Sequence, residues 1–156
     1  MTKQRAKGVT FERYIANQLK PMFPRAMRGL QFRSGEENCD VIGTPWWIEC
    51  KCYHTKNVYP KKWGRWYDKA YNDMVAARES DLVEDMDVIV VVKLTHSGPK
   101  KSIFVFAEAL VLAELGIEGD HELYVNKKDW GGLYTKRGVK LVKITWDKFY
   151  NAVKEL

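Results

Sequence analysis

The chain has 156 residues, of which 46% are hydrophobic and 29% charged, and it carries 26 Lys and Arg against 20 Asp and Glu, a formal net charge of +6. That length and apolar content suit one domain with its own core, and they make a disordered chain or a multi-domain protein a poor starting hypothesis. The basic excess predicts an anionic macromolecular partner, either nucleic acid or an acidic membrane.

The first half of the chain is predicted to form a helix followed by strands. Apolar residues at helical spacing predict a helix over 10–20, with Thr10 as its N-terminal cap. A short strand is predicted at 30–34. Strands at 39–42 and 46–53, separated by a turn of Gly, Thr and Pro, predict a β-hairpin.

The second half alternates helices and strands. The strand at 87–94 is almost continuously apolar, which predicts burial on both faces. The remaining elements are predicted as a helix over 62–80, a strand at 103–107, a helix over 108–115, a strand at 139–144 and a helix over 147–156. The order predicts an α/β fold, a central mixed β-sheet flanked by helices, in a single domain over 1–156.

The charge is concentrated in the first half. Residues 1–78 hold 15 basic and 7 acidic side chains, whereas residues 79–156 hold 11 basic and 13 acidic ones. Within the first 35 residues, Glu12 is the one carboxylate among eight basic side chains. A salt bridge to one of those bases is the plain interpretation of Glu12, and a place in an active site is the alternative.

The hairpin carries the pattern Asp-x8-Glu-x-Lys, formed by Asp40, Glu49 and Lys51. Strand alternation places Glu49 and Lys51 on one face, and the hairpin folds Asp40 back toward Glu49. Converging carboxylates suit a divalent cation such as Mg²⁺, and Lys51 could hold or deprotonate a water that attacks a phosphodiester. The alternative is an ion pair on an exposed strand, but these charges alternate with apolar residues, where unpaired charge is costly.

Four segments together resemble the PD-(D/E)xK nuclease superfamily, and within it the archaeal-type Holliday junction resolvases, which some phages also carry. The segments are Lys7-Gly8-Val9-Thr10-Phe11-Glu12-Arg13, Arg33-Ser34-Gly35, Asp40-Val41-Ile42 and Ile48-Glu49-Cys50-Lys51. The resemblance covers residues from about 5 to 107 and implies a restriction-endonuclease-like core. Residues 116–156 add a strand and a helix that are candidates for dimer contacts.

The resemblance implies an endodeoxyribonuclease that resolves four-way junctions in DNA recombination and repair. Glu12, Asp40, Glu49 and Lys51 would be catalytic, and Mg²⁺, or Mn²⁺ in its place, would be held by Asp40, Glu49 and the backbone carbonyl of Cys50, with Glu12 on the metal side. DNA contacts are expected from Lys7, Arg13, Arg33, Ser34, Lys61, Lys62 and Arg65. The expected partners are branched DNA and a second copy of the chain in a homodimer, with no membrane and no small-molecule cofactor.

Other interpretations remain open. The fold could serve an endonuclease acting on linear duplex or single strands, or a non-catalytic DNA-binding protein. Basic and aromatic residues between Lys56 and Lys69 suit phosphate contact with base stacking, or an amphipathic helix whose aromatic residues are core. Cys39, Cys50 and Cys52 are expected to be small buried side chains in a reduced, cytoplasmic protein (host cytoplasm for a phage protein), with a zinc site as the alternative.

Overall fold

A computed structural model describes residues 2–29, 39–54, 60–95, 102–117, 121–125 and 139–156. Its elements in chain order are α1 (Lys3–Leu19), β1 (Met27–Arg28), β2 (Val41–Ile42), β3 (Trp46–His54), α2 (Pro60–Glu79), β4 (Asp87–Thr95), β5 (Ser102–Glu108), α3 (Ala109–Glu114), β6 (His121–Val125), β7 (Val139–Thr145) and α4 (Trp146–Lys154).

The described strands form one mixed sheet in the order β1-β2-β3-β4-β5-β7-β6. Among these strands β3 and β4 pair in parallel, joined by a connection that contains α2, and the other neighbours pair antiparallel. A parallel pair needs such a crossover, because the chain must return to the same end of the sheet. The expected α/β fold with a mixed sheet flanked by helices is therefore confirmed.

The sheet is covered on both faces. The core on one face, here the α1-side core, also receives α3 and α4 and includes Phe11, Ile15, Ile48, Val91, Leu112 and Phe149. The core on the other face, here the α2-side core, includes Trp47, Tyr67, Met74, Val90 and Phe106. Neighbouring residues Trp46 and Trp47 belong to opposite cores, as strand alternation requires.

The five residues from Val88 to Val92 in β4 are all buried, which confirms the predicted strand buried on both faces. Burial is possible because β4 lies inside the sheet and contributes alternately to the two cores. No helix in the described part of the chain is long and apolar enough to cross a membrane.

The first helix and some of the strands depart from the predicted elements. The first helix begins at Lys3, because the Thr2 side chain accepts the Arg5 N–H as the cap. Thr10 was wrongly expected to be that cap; it lies inside α1 and its hydroxyl donates to the Ala6 carbonyl at 2.9 Å. Strands β1 and β6 were not predicted, and the strand expected at 30–34 lies outside the described residues.

Candidate active site

A tight turn fixes how β2 and β3 meet. Gly43 has φ +83°, a conformation that side chains disfavour, and a Cβ there would collide with the Arg25 carbonyl. The Trp46 N–H donates to the Thr44 hydroxyl at 3.2 Å. Val41 then pairs with Ile48, so the predicted hairpin is confirmed.

Asp40 sits in a β-bulge at the start of β2. Its N–H donates to the Ile48 carbonyl at 2.9 Å, although Ile48 is already the partner of Val41. Two successive residues therefore oppose one, which is the definition of a bulge. The cores agree: Cys39 lies in the α2-side core and Val41 in the α1-side core, whereas unbroken alternation would place both on one face.

The bulge turns the Asp40 side chain along β3. Asp40 Oδ2 accepts the Cys50 N–H at 2.8 Å, and the Asp40 carbonyl accepts the Gly29 N–H at 2.8 Å. The residue is thus held both by its carboxyl group and by its backbone carbonyl, and it is only 7% exposed. A carboxylate oxygen that accepts a backbone N–H is fixed in position.

Glu49 and Lys51 share one face of β3, as predicted, since the intervening Cys50 packs against the α1-side core and Trp47 lies in the α2-side core. Burial, and after it the charge of Asp40, raises the pKa of Glu49 to about 8, while the charge of Lys51 opposes the rise. Glu49 is half-buried, and the charge of Lys51 does not outweigh burial and the charge of Asp40. An ion pair on an exposed strand, the alternative interpretation of the sequence, therefore does not describe Glu49.

Glu12 reaches the same carboxyl group from α1. Its Oε2 accepts the Arg28 Nε–H at 2.7 Å, so the salt bridge that the sequence allowed is present. Burial and then the charge of Asp40 nevertheless raise the pKa of Glu12, against the lowering effect of Arg28. Asp40 is therefore the common neighbour of Glu12 and Glu49.

Oxygen ligands for a divalent cation are available around Asp40. The N–H and C=O of one strand residue point to the same side, so the Cys50 carbonyl lies on the side of β3 where its N–H meets Asp40. Asp40, Glu49 and this carbonyl form a hard-oxygen donor set of the kind Mg²⁺ takes. Within the described ranges, however, no three His, Cys, Asp or Glu side chains are already arranged as a metal-binding group.

The thiols behave as apolar neighbours of the carboxyl groups. Cys39 and Cys52 are buried, and Cys39 Sγ lies 3.0 Å from the Val41 carbonyl. Burial raises the pKa of Cys39 to about 11, and it raises the pKa of Cys50 well above its ordinary value. Cys50 and Cys52 pack on the α1-side core and Cys39 on the α2-side core, so the three thiols do not converge on one face of the sheet, which disfavours the zinc alternative.

Among the residues expected to bind DNA, those that the structure describes lie on two helices. Lys7 and Arg13 are exposed on α1, and on α2 Arg65 is exposed and Lys62 half-buried. Lys61 also belongs to α2, but its side chain lies outside the described part, as do Arg33 and Ser34.

Sequence reasoning missed two charged neighbours of the site. Arg28, counted only as one of eight bases, is the partner of Glu12. Lys69 on α2 has its pKa raised first by a hydrogen bond to Asp73 and also by the charges of Glu49 and Asp40. The charge excess signals that such partners exist, but nothing in the sequence selects these two.

Comparison with known proteins adds no relative: no family model, no curated protein and no solved structure matches the chain.

Proposed function

We propose that the chain is a Mg²⁺-dependent endodeoxyribonuclease that cuts four-way DNA junctions. The observation that carries the proposal is the position of Asp40, which the Cys50 N–H holds at 2.8 Å between Glu12 and Glu49. Lys51 lies on the same face of β3 as Glu49, two residues further along the strand. Each of these carboxyl groups opposes ionisation of its neighbour, so gathering them around Asp40 does not favour the stability of the fold. The same arrangement, next to a lysine, suits phosphodiester hydrolysis.

The donor set fits a hard divalent cation. Asp40, Glu49 and the Cys50 carbonyl would hold it, with Glu12 on the same side directly or through water. A bound Mg²⁺, or Mn²⁺ in its place, supplies a Lewis acid for the phosphate and acidifies a water molecule. Lys51 would orient the attacking water and stabilise the charge that develops on the phosphate.

The resemblance to archaeal-type Holliday junction resolvases supplies the substrate. The described sheet is compatible with a restriction-endonuclease-like core, in which the β2–β3 hairpin bears the motif. A homodimer with twofold symmetry would present two equivalent sites to two equivalent strands of a junction. Residues 116–156 are the proposed dimer-forming part.

The basic half of the chain supports a polyanionic substrate. Residues 1–78 carry a net charge of +8, and they include every residue of the motif. Lys7, Arg13, Arg33, Ser34, Lys61, Lys62 and Arg65 are the proposed DNA contacts. Contacts to phosphate bind by shape and charge rather than by sequence, as a junction with no fixed sequence requires.

The test is cleavage of a labelled four-way junction with and without Mg²⁺. Asp40→Asn and Lys51→Ala should abolish cleavage while junction binding stays within a few fold of the parental value. The matched controls are Asp87→Asn, at the exposed start of β4, and Lys154→Ala, at the exposed end of α4, and both should cut normally. Parental cleavage by Asp40→Asn would show that this is not the active site.

A duplex of the same sequence separates the alternatives. Equal rates on junction and duplex would favour a nuclease for linear DNA. Binding without any metal-dependent hydrolysis would favour a non-catalytic DNA-binding protein.

A further inference from the structure

The beginning of α2 places a lysine and a tryptophan against a tyrosine of β3. The ring centroids of Tyr53 and Trp66 are 4.9 Å apart, with an interplanar angle of 33°. Lys62 Nζ lies 5.0 Å from the Tyr53 centroid, within the range of a cation–π contact. All three side chains are half-buried, and the neighbouring Arg65 is exposed. Tyr53, Trp66 and Lys62 are called the Tyr53 platform below.

The Tyr53 platform adjoins the candidate active site. Tyr53, Lys51 and Glu49 occupy alternate positions of β3 and therefore share a face. A strand rises by about 3.3 Å per residue, so Tyr53 lies roughly 7 Å from Lys51 and roughly 13 Å from Glu49 along β3. Both distances are on the scale of a few nucleotides.

The platform differs from the aromatic groups that build the cores. Trp146 and Phe149 are buried in the α1-side core, and Trp63 packs on Phe106 with its indole N–H inaccessible. Tyr53, by contrast, remains half-buried without joining either core, and Trp66 contacts the α2-side core with part of its surface left accessible. The ligand this surface fits has a flat aromatic face and an adjoining negative charge.

We propose that the Tyr53 platform stacks against an unpaired base of the DNA and that Lys62 contacts the neighbouring phosphate. Every base offers a π-face to an aromatic side chain, so such stacking tolerates any sequence. The proposal rests on the proposed function and narrows its substrate to DNA with an unpaired or splayed nucleotide near the cleaved bond. A continuous duplex offers no such base, because each base is stacked on its neighbours.

The experiment measures DNA binding by fluorescence anisotropy in EDTA, with a labelled single strand, a four-way junction and a duplex. Tyr53→Leu and Trp66→Leu should each weaken binding to the single strand and the junction by about tenfold, the effect of losing one stacked base. Duplex binding should stay within about twofold, because phosphate contacts are retained. Tyr53→Phe keeps the ring and should bind like the parental protein.

The matched control is Tyr150→Leu on α4. Tyr150 also has a lysine over its ring, Lys154 Nζ at 5.2 Å, and a tryptophan beside it, Trp146 at 6.1 Å, but these belong to the α1-side face. This variant should leave all three affinities unchanged. Circular dichroism identifies any variant that does not fold, and the Tyr53→Leu and Trp66→Leu substitutions test the same surface from different elements.

The outcomes separate this proposal from the proposed function. Equal losses for duplex and single strand, or no loss for either ring-deleting variant, would overturn the platform even if the parental protein cuts junctions with Mg²⁺. Selective losses in a protein that cuts nothing would support the platform and overturn the nuclease. Absence of DNA binding by the parental protein would overturn both.

Discussion

Glu49 gives the sharpest physical test of the site. Burial and the charge of Asp40 raise its pKa to about 8 from an ordinary value of 4.5. In the unfolded chain both causes vanish, because the side chain is then in water. Replacing Glu49 with Gln keeps the shape of the side chain and removes its titration.

The sign follows from proton binding. Between pH 4.5 and about 8 the folded protein keeps a proton on Glu49 that the unfolded chain releases. The free energy of unfolding therefore falls as the pH rises through this interval. Each pH unit is worth about 1.4 kcal/mol, so the whole interval from pH 4.5 to about 8 amounts to a loss on the order of 5 kcal/mol as an upper limit. Glu12, whose pKa is also raised, adds a loss of the same sign.

Urea unfolding in EDTA at a series of pH values measures this loss. The parental protein should become less stable from about pH 5 to about pH 8, and Glu49→Gln should show a distinctly flatter dependence and greater stability at the upper end. Glu79→Gln, which changes an exposed carboxylate at the end of α2, should keep the parental slope. A Glu49→Gln variant that also kept that slope would refute the reasoning from burial and repulsion.

Three further predictions concern the same region. Arg28→Met removes the guanidinium that lowers the pKa of Glu12, so NMR titration of the Glu12 carboxyl carbon should show a higher pKa. The free energy of unfolding should fall by about 1–2 kcal/mol. An unchanged titration of Glu12 would contradict the ion pair. Gly43→Ala should lower the free energy of unfolding by well over ~1 kcal/mol, measured by thermal unfolding. Gly116→Ala should lower it less, because φ is also positive there but no atom blocks a Cβ. Equal losses for the two variants would disprove the clash at Gly43. Mg²⁺ should raise the free energy of unfolding more at about pH 8 than at about pH 6, because its binding needs ionised Glu49. The stabilisation by Mg²⁺ should be smaller in Asp40→Asn than in the parental protein. Equal stabilisation of the variant and the parental protein would place the ion elsewhere.

The hairpin and the shared face of Glu49 and Lys51 could be predicted because both depend on local signals. A turn of Gly, Thr and Pro lies between two apolar strands, and alternation then fixes which side chains face together. The meeting of Asp40 with Glu49 follows from the same hairpin. These features need no knowledge of the rest of the sheet.

The bulge at Asp40 could not be predicted in this way. The extra residue appears only when the partner strand is known, since it consists of Asp40 and Val41 sharing Ile48. Strict alternation would have placed the Asp40 side chain differently. The motif therefore identifies the residue, and the pairing determines where its carboxyl group points.

The start of α1 and the existence of strand β6 were not predicted correctly, for related reasons. Thr2 and Thr10 are equally good capping residues, and the polar first turn of α1 has no apolar periodicity to choose between them. Strand β6 is defined by its antiparallel pairing with β7, in which Leu123 is the register partner of Leu141. Five residues are too few for a periodic pattern to stand out.

The adjacent indoles Trp46 and Trp47 make the two sides of the sheet separately observable. One lies in the α1-side core and the other in the α2-side core, so a fluorine label on each indole gives a signal from its own side. Unfolding of α2 alone would broaden the Trp47 resonance and leave that of Trp46 sharp. Two successive residues thus provide a built-in pair of reporters on whether the two faces of the sheet lose their packing together or in turn.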